Sequence, residues 1–242
     1  TLPAKASPAK AKGAVAGASA AVKRPTRPSG ISDATEKRLL AVRLFLAKKA
    51  CREATLDLRN LLREQPKLAG AHYLLGAALV CRRHFSDGLG AYEKAIALDS
   101  RYAGDARIHE DVVRMLRYRR LRGRVLVFID SKLGKAGLDL LAKLAATSKR
   151  REVRRGARQR LKARGAEGRI DEVLSLCRDL LQTRGCKKKR AIVARLRTLG
   201  DARALPTLRR ARRAKGGFLG LEKVNGCIYK DLSEAIEALE KK

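Results

Sequence analysis

The chain has 242 residues, of which 45% are hydrophobic but only 4% are aromatic, with no tryptophan. This composition favours helices that pack through small aliphatic side chains, and it argues against a β-sandwich, which needs more β-branched and aromatic residues. The net charge of +33 is concentrated in residues 103–215, which hold 34 basic and 11 acidic residues. Such a field attracts polyanions, whether nucleic acid, anionic lipid or acidic protein segments.

Residues 1–30 consist mostly of Ala, Lys, Pro, Gly and Ser, and hold six basic and no acidic residues. They show no apolar periodicity, and their prolines oppose long helices. The segment is similar to linker-histone tails, which predicts a disordered basic Ala/Lys/Pro linker. Its two Arg-Pro steps lack the flanking glycine of an AT-hook, so the pattern favours a flexible linker over a minor-groove arm.

From Ser32 onward the spacing of apolar residues predicts helices, with the second at about 52–63 and the fourth at about 86–98. The segments 35–68 and 69–102 are each 34 residues long and resemble tetratricopeptide repeats. In the second segment, the family's Leu-Gly pair, small position, aromatic and alanine positions are occupied by Leu75-Gly76, Gly88, Tyr92 and Ala95. The first segment keeps Ala54 at the small position and Pro66 at the terminal proline.

The resemblance implies an all-α, right-handed superhelix of antiparallel helix pairs, whose concave face grips peptides or partner helices. Residues that would face this groove are Leu39, Arg43, Leu46, Tyr73, Ala77, Val80, Arg107 and Arg114. A mixed apolar and arginine groove fits an acidic or amphipathic segment of a protein partner. The alternative that these side chains only pack against the next helix pair stays open.

Residues 124–130 resemble a strand that ends in an aspartate, as in nucleotide-binding sites. No phosphate-binding loop with GxxxxGK[ST] spacing accompanies them, and their apolar residues also fit one broad helical face, so we predict a helix. We assign residues 31–136 to tetratricopeptide-like repeats and 137–242 to HEAT-like or armadillo-like helix pairs with a C-terminal helix. The segment that begins at Asp201 and includes Pro206 resembles the start of the first helix of a HEAT repeat.

Basic clusters define a second candidate surface, for polyanions. Its residues are Arg119, Arg120, Arg150, Arg151, Arg154, Arg155, Arg158, Lys187, Lys188 and Lys189. Five arginines on one face of the helix at 148–165 exceed what solvation requires, because like charges four residues apart repel each other. A solvated helix face and a phosphate-contacting stripe both stay open, and with few aromatics any nucleic acid is expected to be bound through its backbone. Non-sequence-specific nucleic-acid binding through 117–215 is therefore the alternative function.

The sequence gives no sign of catalysis. No known catalytic motif occurs, and His72, His84 and His109 are expected to be ordinary surface or interface residues. Cys81 and His84 have metal-like spacing but lack a second pair, so we expect no metal and no cofactor. We predict a non-catalytic scaffold for protein–protein interaction.

The five cysteines are expected to be reduced, with a Cys186–Cys227 pair left open, because an odd count is a poor disulfide framework. There is no run of 18 apolar residues and no signal-peptide pattern, so we expect no membrane span and a cytoplasmic location. A basic Ala/Pro-rich linker followed by helical repeats resembles the C-terminal regions of large bacterial serine/threonine kinases. Together with the first residue, Thr1, this implies a regulatory or docking region of a larger signalling protein.

Overall fold

The computed structural model describes residues 32–216 and 222–241, so the linker predicted at 1–30 lies outside the described residues. The helices of the described part are α1 (Asp33–Ala47), α2 (Cys51–Glu64), α3 (Ala69–Cys81), α4 (Phe85–Leu98), α5 (Ala106–Met115), α6 (Arg122–Lys132), α7 (Gly134–Thr147), α8 (Arg151–Ala163), α9 (Glu172–Gln182), α10 (Cys186–Leu199), α11 (Leu205–Arg213) and α12 (Tyr229–Glu240). Short 3-10 turns lie at Ser100–Gly104, Arg119–Leu121, Glu167–Arg169, Ala202–Ala204 and Gly226–Ile228. Two-residue strands, β1 (Lys215–Gly216) and β2 (Glu222–Lys223), pair antiparallel. The predicted all-helical class is confirmed.

The first four helices repeat their bounds along the chain. Helices α2 and α4 begin and end 34 residues apart, at 51 and 85 and at 64 and 98. In the turns before them, Lys49 and Arg83 both adopt left-handed backbone conformations, with φ of 61° and 65°. A non-glycine residue in this conformation is uncommon, so the same turn is built twice at the same spacing.

Two glycines allow α3 and α4 to cross closely. A Cβ atom at Gly88 would lie 2.8 Å from Cγ2 of Val80 and 3.2 Å from the carbonyl oxygen of Gly76. A Cβ atom at Gly76 would overlap the ring of Tyr92. The small residue predicted at this crossing is thus required by the contact between the two helices.

The segment that resembles a strand at 124–130 lies within α6, so the predicted helix is confirmed. Helices α6 and α8 lie side by side and parallel. Their starts are joined by Arg122 and Glu152, whose Nη1 and Oε2 atoms are 3.5 Å apart, and their ends by Arg164 and Asp130, with 3.0 Å between Nε and Oδ1. The two arginine-rich segments that precede these helices are therefore neighbours in space.

The core consists of three hydrophobic clusters that follow one another along the chain. They extend over 39–78, 80–161 and 173–239. The middle cluster includes both α6 and α7, and the predicted boundary between the two types of repeat, at 136/137, falls within α7. No helix in the described ranges is long and apolar enough to cross a membrane.

Four of the five cysteines are paired, so the expectation of reduced thiols is wrong for Cys51 and Cys81, and the Cys186–Cys227 pair that the sequence left open is formed. Cys51 at the start of α2 is bonded to Cys81 at the end of α3, and Cys186 is bonded to Cys227. Cys177 is free and buried. Disulfides persist mainly in oxidising compartments, and the pairing therefore does not support the predicted cytoplasmic location.

Candidate interaction surfaces

Half of the predicted groove residues belong to the core. Leu39, Leu46, Ala77 and Val80 are 7%, 8%, 1% and 2% exposed, and each lies in a hydrophobic cluster. Their prediction as partner-binding residues is wrong, because their apolar surface is already covered by neighbouring helices. The alternative interpretation, in which these four side chains only pack against neighbouring helices, agrees with their burial.

The other predicted groove residues retain accessible surface on α1, α3 and α5. Arg43 and Arg107 are exposed, and Tyr73 is half-buried. Tyr73 stacks on Tyr102 of the 3-10 turn, with ring centroids 4.8 Å apart and an interplanar angle of 22°. We call Arg43, Tyr73, Tyr102 and Arg107 the α1–α3–α5 face. Tyr102 was missed from the sequence because it follows α4, and only the folded turn brings it over α3.

The charged groups of this face act on the pKa values of its two tyrosines. Burial raises the pKa of Tyr73, as do the charge of Asp105 and a hydrogen bond to it, while Arg107 opposes the shift. Burial also raises the pKa of Tyr102, with Arg43 close enough to oppose it. The phenols are therefore neutral at physiological pH, and the face offers two guanidinium groups around a stacked aromatic pair.

Beneath this face lies a buried acid. The hydroxyl of Tyr92 donates a hydrogen bond of 2.6 Å to Oδ2 of Asp111, which is 4% exposed. Burial raises the pKa of Asp111, while the hydrogen bond from Tyr92 and the charge of Arg114 oppose this shift. Arg114, a predicted groove residue, is exposed, and its Nη1 lies 3.5 Å from Oδ1 of Asp111.

Two predicted polyanion-binding arginines instead hold α8 to α9. Arg154 is 2% exposed, and its Nη2 donates to Oδ1 of Asp179 at 2.6 Å. Its Nη1 donates to Oε1 of Gln182 at 2.7 Å. Arg158 is partly buried and donates to Oδ2 of Asp179 at 3.0 Å and to Oγ of Ser175 at 2.5 Å. The phosphate-contacting role predicted for Arg154 is wrong, because its guanidinium is enclosed and already neutralised. We call these five residues the polar seam.

The other predicted arginines form one exposed cluster at the starts of α6 and α8. All of its members are exposed, and none forms an ion pair with a residue that the structure describes: Arg119, Arg120, Arg150, Arg151 and Arg155. Among them lies Glu152, 63% of whose side chain is exposed. The hydrogen bond from its own amide lowers the pKa of Glu152, as do the charges of Arg122, Arg155 and Arg119.

The lysines at 187–189 lie apart from this cluster, in the first turn of α10. Lys187 and Lys188 are exposed, whereas Nζ of Lys189 donates to Oδ1 of Asn225 at 2.5 Å. Asn225 in turn donates to the carbonyl oxygen of Ala211. Lys189 therefore supports the packing around the second disulfide, and only the first two lysines are free.

Two of the three histidines satisfy backbone carbonyls. Nε2 of His72 lies 2.8 Å from the oxygen of Pro66, and Nε2 of His109 lies 2.9 Å from that of Ala103. A carbonyl only accepts hydrogen bonds, so Nε2 carries the proton in both. Each ring thereby ties its helix to the carbonyl six residues earlier.

No family model matches the chain, and no similar protein was found among curated proteins or solved structures. The class of protein defined by the structure is therefore an all-helical one with two candidate interaction surfaces.

Proposed function

We propose that this protein is a non-catalytic helical-repeat scaffold that binds another protein, and that α1–α4 are two tetratricopeptide-like repeats. The observation that carries the proposal is the 34-residue recurrence of the bounds of α2 and α4 and of the left-handed turns before them. Repeat proteins of this kind stack helix pairs into a curved superhelix with an extended binding face.

Regularities in the second half support the HEAT-like part of the proposal. The 3-10 turns before α9 and α11 carry Arg169 and Arg203, 34 residues apart in the sequence. Arg169 contacts Asp139 within α7, and Arg203 contacts Asp171, the N-cap residue of α9, each at 2.6 Å. Recurring contacts between neighbouring units are typical of stacked repeats, in which each unit mainly contacts its neighbours.

The binding surface in this proposal is the α1–α3–α5 face. Its exposed guanidiniums attract carboxylates, and the stacked tyrosines offer apolar area with hydroxyls at the edge. An acidic, amphipathic segment of a partner protein satisfies both features. Leu39, Leu46, Ala77 and Val80, which the sequence assigned to the groove, are buried in the core and stay out of contact with the partner.

Site-specific crosslinking tests this proposal. A photo-reactive residue is placed at Arg43 or Arg107, and at Arg59 on α2 as an exposed control, in extract treated with nuclease. We expect the two positions on the face to capture the same protein and the control to capture none of it. Charge reversal by Arg43→Glu and Arg107→Glu is then expected to weaken binding of the purified partner at least tenfold, or about 1.4 kcal/mol.

Two results would contradict the proposal. Equal capture from all three positions would mean that the face has no preference over the rest of the surface. Unchanged affinity after reversal of both charges would remove the face from the interaction. As a control for charge, Arg52→Glu with Arg59→Glu makes the same net change on exposed positions of α2.

The proposal extends to the parent protein. We propose that the chain is the C-terminal regulatory or docking region of a larger bacterial signalling protein, such as a serine/threonine kinase. The motivation is the resemblance of a basic linker followed by helical repeats to such regions. Reading the coding sequence upstream of Thr1 tests it, because a start codon directly before Thr1 would end the idea.

A further inference from the structure

The starts of α6 and α8 bring two distant arginine-rich segments into one surface. Arg122, the first residue of α6, contacts Glu152 in the first turn of α8 at 3.5 Å. Nε of Arg122 also donates to the carbonyl oxygen of Leu116 at 3.1 Å, which fixes the side chain against the turn before α6. The 3-10 turn at 119–121 is thereby held next to residues 150–155.

We call Arg119, Arg120, Arg150, Arg151 and Arg155 the arginine surface. Elsewhere in the described chain many arginines are paired, as Arg195 is with Glu172 at 2.7 Å. The arginine surface has Glu152 as its nearby carboxylate, and Arg122 already contacts that group. Unneutralised like charges held close together repel one another, so a bound polyanion would relieve the repulsion.

The chemistry of the surface favours phosphate. Guanidinium groups present several donors in a planar fork, which matches two oxygens of a phosphate. The N-cap residue of α8, Arg150, makes no side-chain capping hydrogen bond, and the dipole at this helix start favours an anion. All five arginines are exposed, so an extended polymer can reach them without any rearrangement of the fold.

Apolar area at this surface is small. Tyr118 is the neighbouring aromatic, at 42% exposure, and its ring packs on Phe85 with centroids 4.5 Å apart. An amphipathic helix would need an apolar groove, and a membrane-surface site is usually strengthened by apolar insertion. A phosphate backbone needs neither, because its contacts are ionic and its bases can face solvent.

We propose that the arginine surface binds the phosphate backbone of nucleic acid without reading its sequence. This goes beyond the proposed scaffold function, because the surface lies at the starts of α6 and α8 and shares no residue with the α1–α3–α5 face. The chain would then hold a protein partner and a nucleic acid on separate surfaces.

The test is a salt titration of binding between the full chain and a short labelled duplex, carried out with the wild type, a surface variant and a control variant. The surface variant is Arg119→Ala, Arg151→Ala and Arg155→Ala. The control variant is Arg52→Ala, Arg59→Ala and Lys94→Ala, which removes the same charge from exposed residues without ion pairs. The slope of log K against log salt concentration is negative, and its magnitude is expected to decrease by about 2.7 in the surface variant, which loses three phosphate contacts at about 0.9 each. In the control variant the slope is expected to stay unchanged.

Equal slopes and equal affinities in the two variants would overturn the proposal, because the attraction would then depend on total charge. It would also be overturned if the surface variant kept its duplex binding but lost binding to phosphatidylserine vesicles or to polyglutamate, since the surface would then serve lipid or acidic protein. Thermal unfolding checks that the variants fold. The series Arg119→Lys, Arg151→Lys and Arg155→Lys is expected to retain the slope and to bind more weakly, because lysine keeps the charge but loses the bidentate contact.

These outcomes are independent of the scaffold proposal. Crosslinking from Arg43 and Arg107 is expected to continue unchanged in the surface variant. If the scaffold proposal fails, the salt dependence of duplex binding still depends on the arginine surface. If the phosphate proposal fails, Arg43 and Arg107 still crosslink to the protein partner.

Discussion

Removing the carboxylate of the polar seam is expected to destabilise the fold more than removing the arginine that it neutralises. In Asp179→Asn, the guanidinium of Arg154 stays 2% exposed but loses its counter-ion. An uncompensated buried charge costs about 3–5 kcal/mol. In Arg154→Met, by contrast, Asp179 keeps Arg158 at 3.0 Å, and its side chain is 26% exposed to water.

The cost of Arg154→Met is therefore limited to lost hydrogen bonds. The carbonyl oxygen of Ser148 and the amide of Gln182 lose a donor, at about 1 kcal/mol each. Two effects offset part of this cost: methionine packs well, and the substitution also removes the Nε–H of Arg154, which is buried without a partner. We expect a net loss of about 1–2 kcal/mol, compared with at least about 3 kcal/mol for Asp179→Asn.

Urea unfolding of the two variants, followed by circular dichroism, measures which substitution lowers the free energy of unfolding more. The double variant Arg154→Met with Asp179→Asn is expected to be more stable than Asp179→Asn alone, because it contains no buried charge. A larger loss for Arg154→Met than for Asp179→Asn would refute the assignment of Arg154 as the enclosed partner of the pair. Additive losses in the double variant would show that the two groups do not interact.

Three further predictions concern the cysteines, the helix crossing and the buried acid. Thiol titration of the denatured, unreduced chain is expected to find one thiol, that of Cys177, and finding five thiols would contradict the pairing. Opening the disulfide between Cys51 and Cys81, which are 30 residues apart, is expected to lower the free energy of unfolding in urea by about 4 kcal/mol. Gly88→Ala is expected to lose about 1–3 kcal/mol through overlap with Val80, whereas Gly90→Ala, with open space around its Cβ, should gain up to about 1 kcal/mol; equal effects would refute the close crossing. Burial raises the folded-state pKa of Asp111, so the stability it contributes is present below its unfolded pKa of about 4 and is lost as pH rises through the folded value. Asp111→Asn should therefore gain stability relative to wild type as the pH of the unfolding measurement rises above about 4, and a constant difference would contradict this.

The helices were largely predictable because their signals are local. The apolar spacing and the turn residues gave the second and fourth helices within a residue or two, and the 34-residue comparison placed Gly88 at the crossing. The helix at 124–130 was also predictable, since its apolar residues fit a helical face as well as a strand. Each of these inferences uses residues that are neighbours along the chain.

The surfaces were less predictable because burial depends on distant elements. Five arginines on one helical face look equivalent in sequence, yet Asp179 of α9 encloses Arg154 and leaves Arg155 exposed. Leu39 and Val80 likewise belong to a helical stripe whose depth is set by the neighbouring helix pair. The disulfides could not be derived from an odd cysteine count, because pairing depends on which helix ends meet in space.

The order of the hydrophobic clusters along the chain has a consequence for how the molecule unfolds. The last cluster is closed mainly by segments that are near in sequence, so it can lose its structure as a separate cooperative unit. The polar seam connects α8 to α9, whose apolar residues belong to the last cluster, through charges and hydrogen bonds. Hydrogen exchange should therefore show α9–α12 opening together and before the middle cluster, while the Cys186–Cys227 bond keeps the released helices connected to one another.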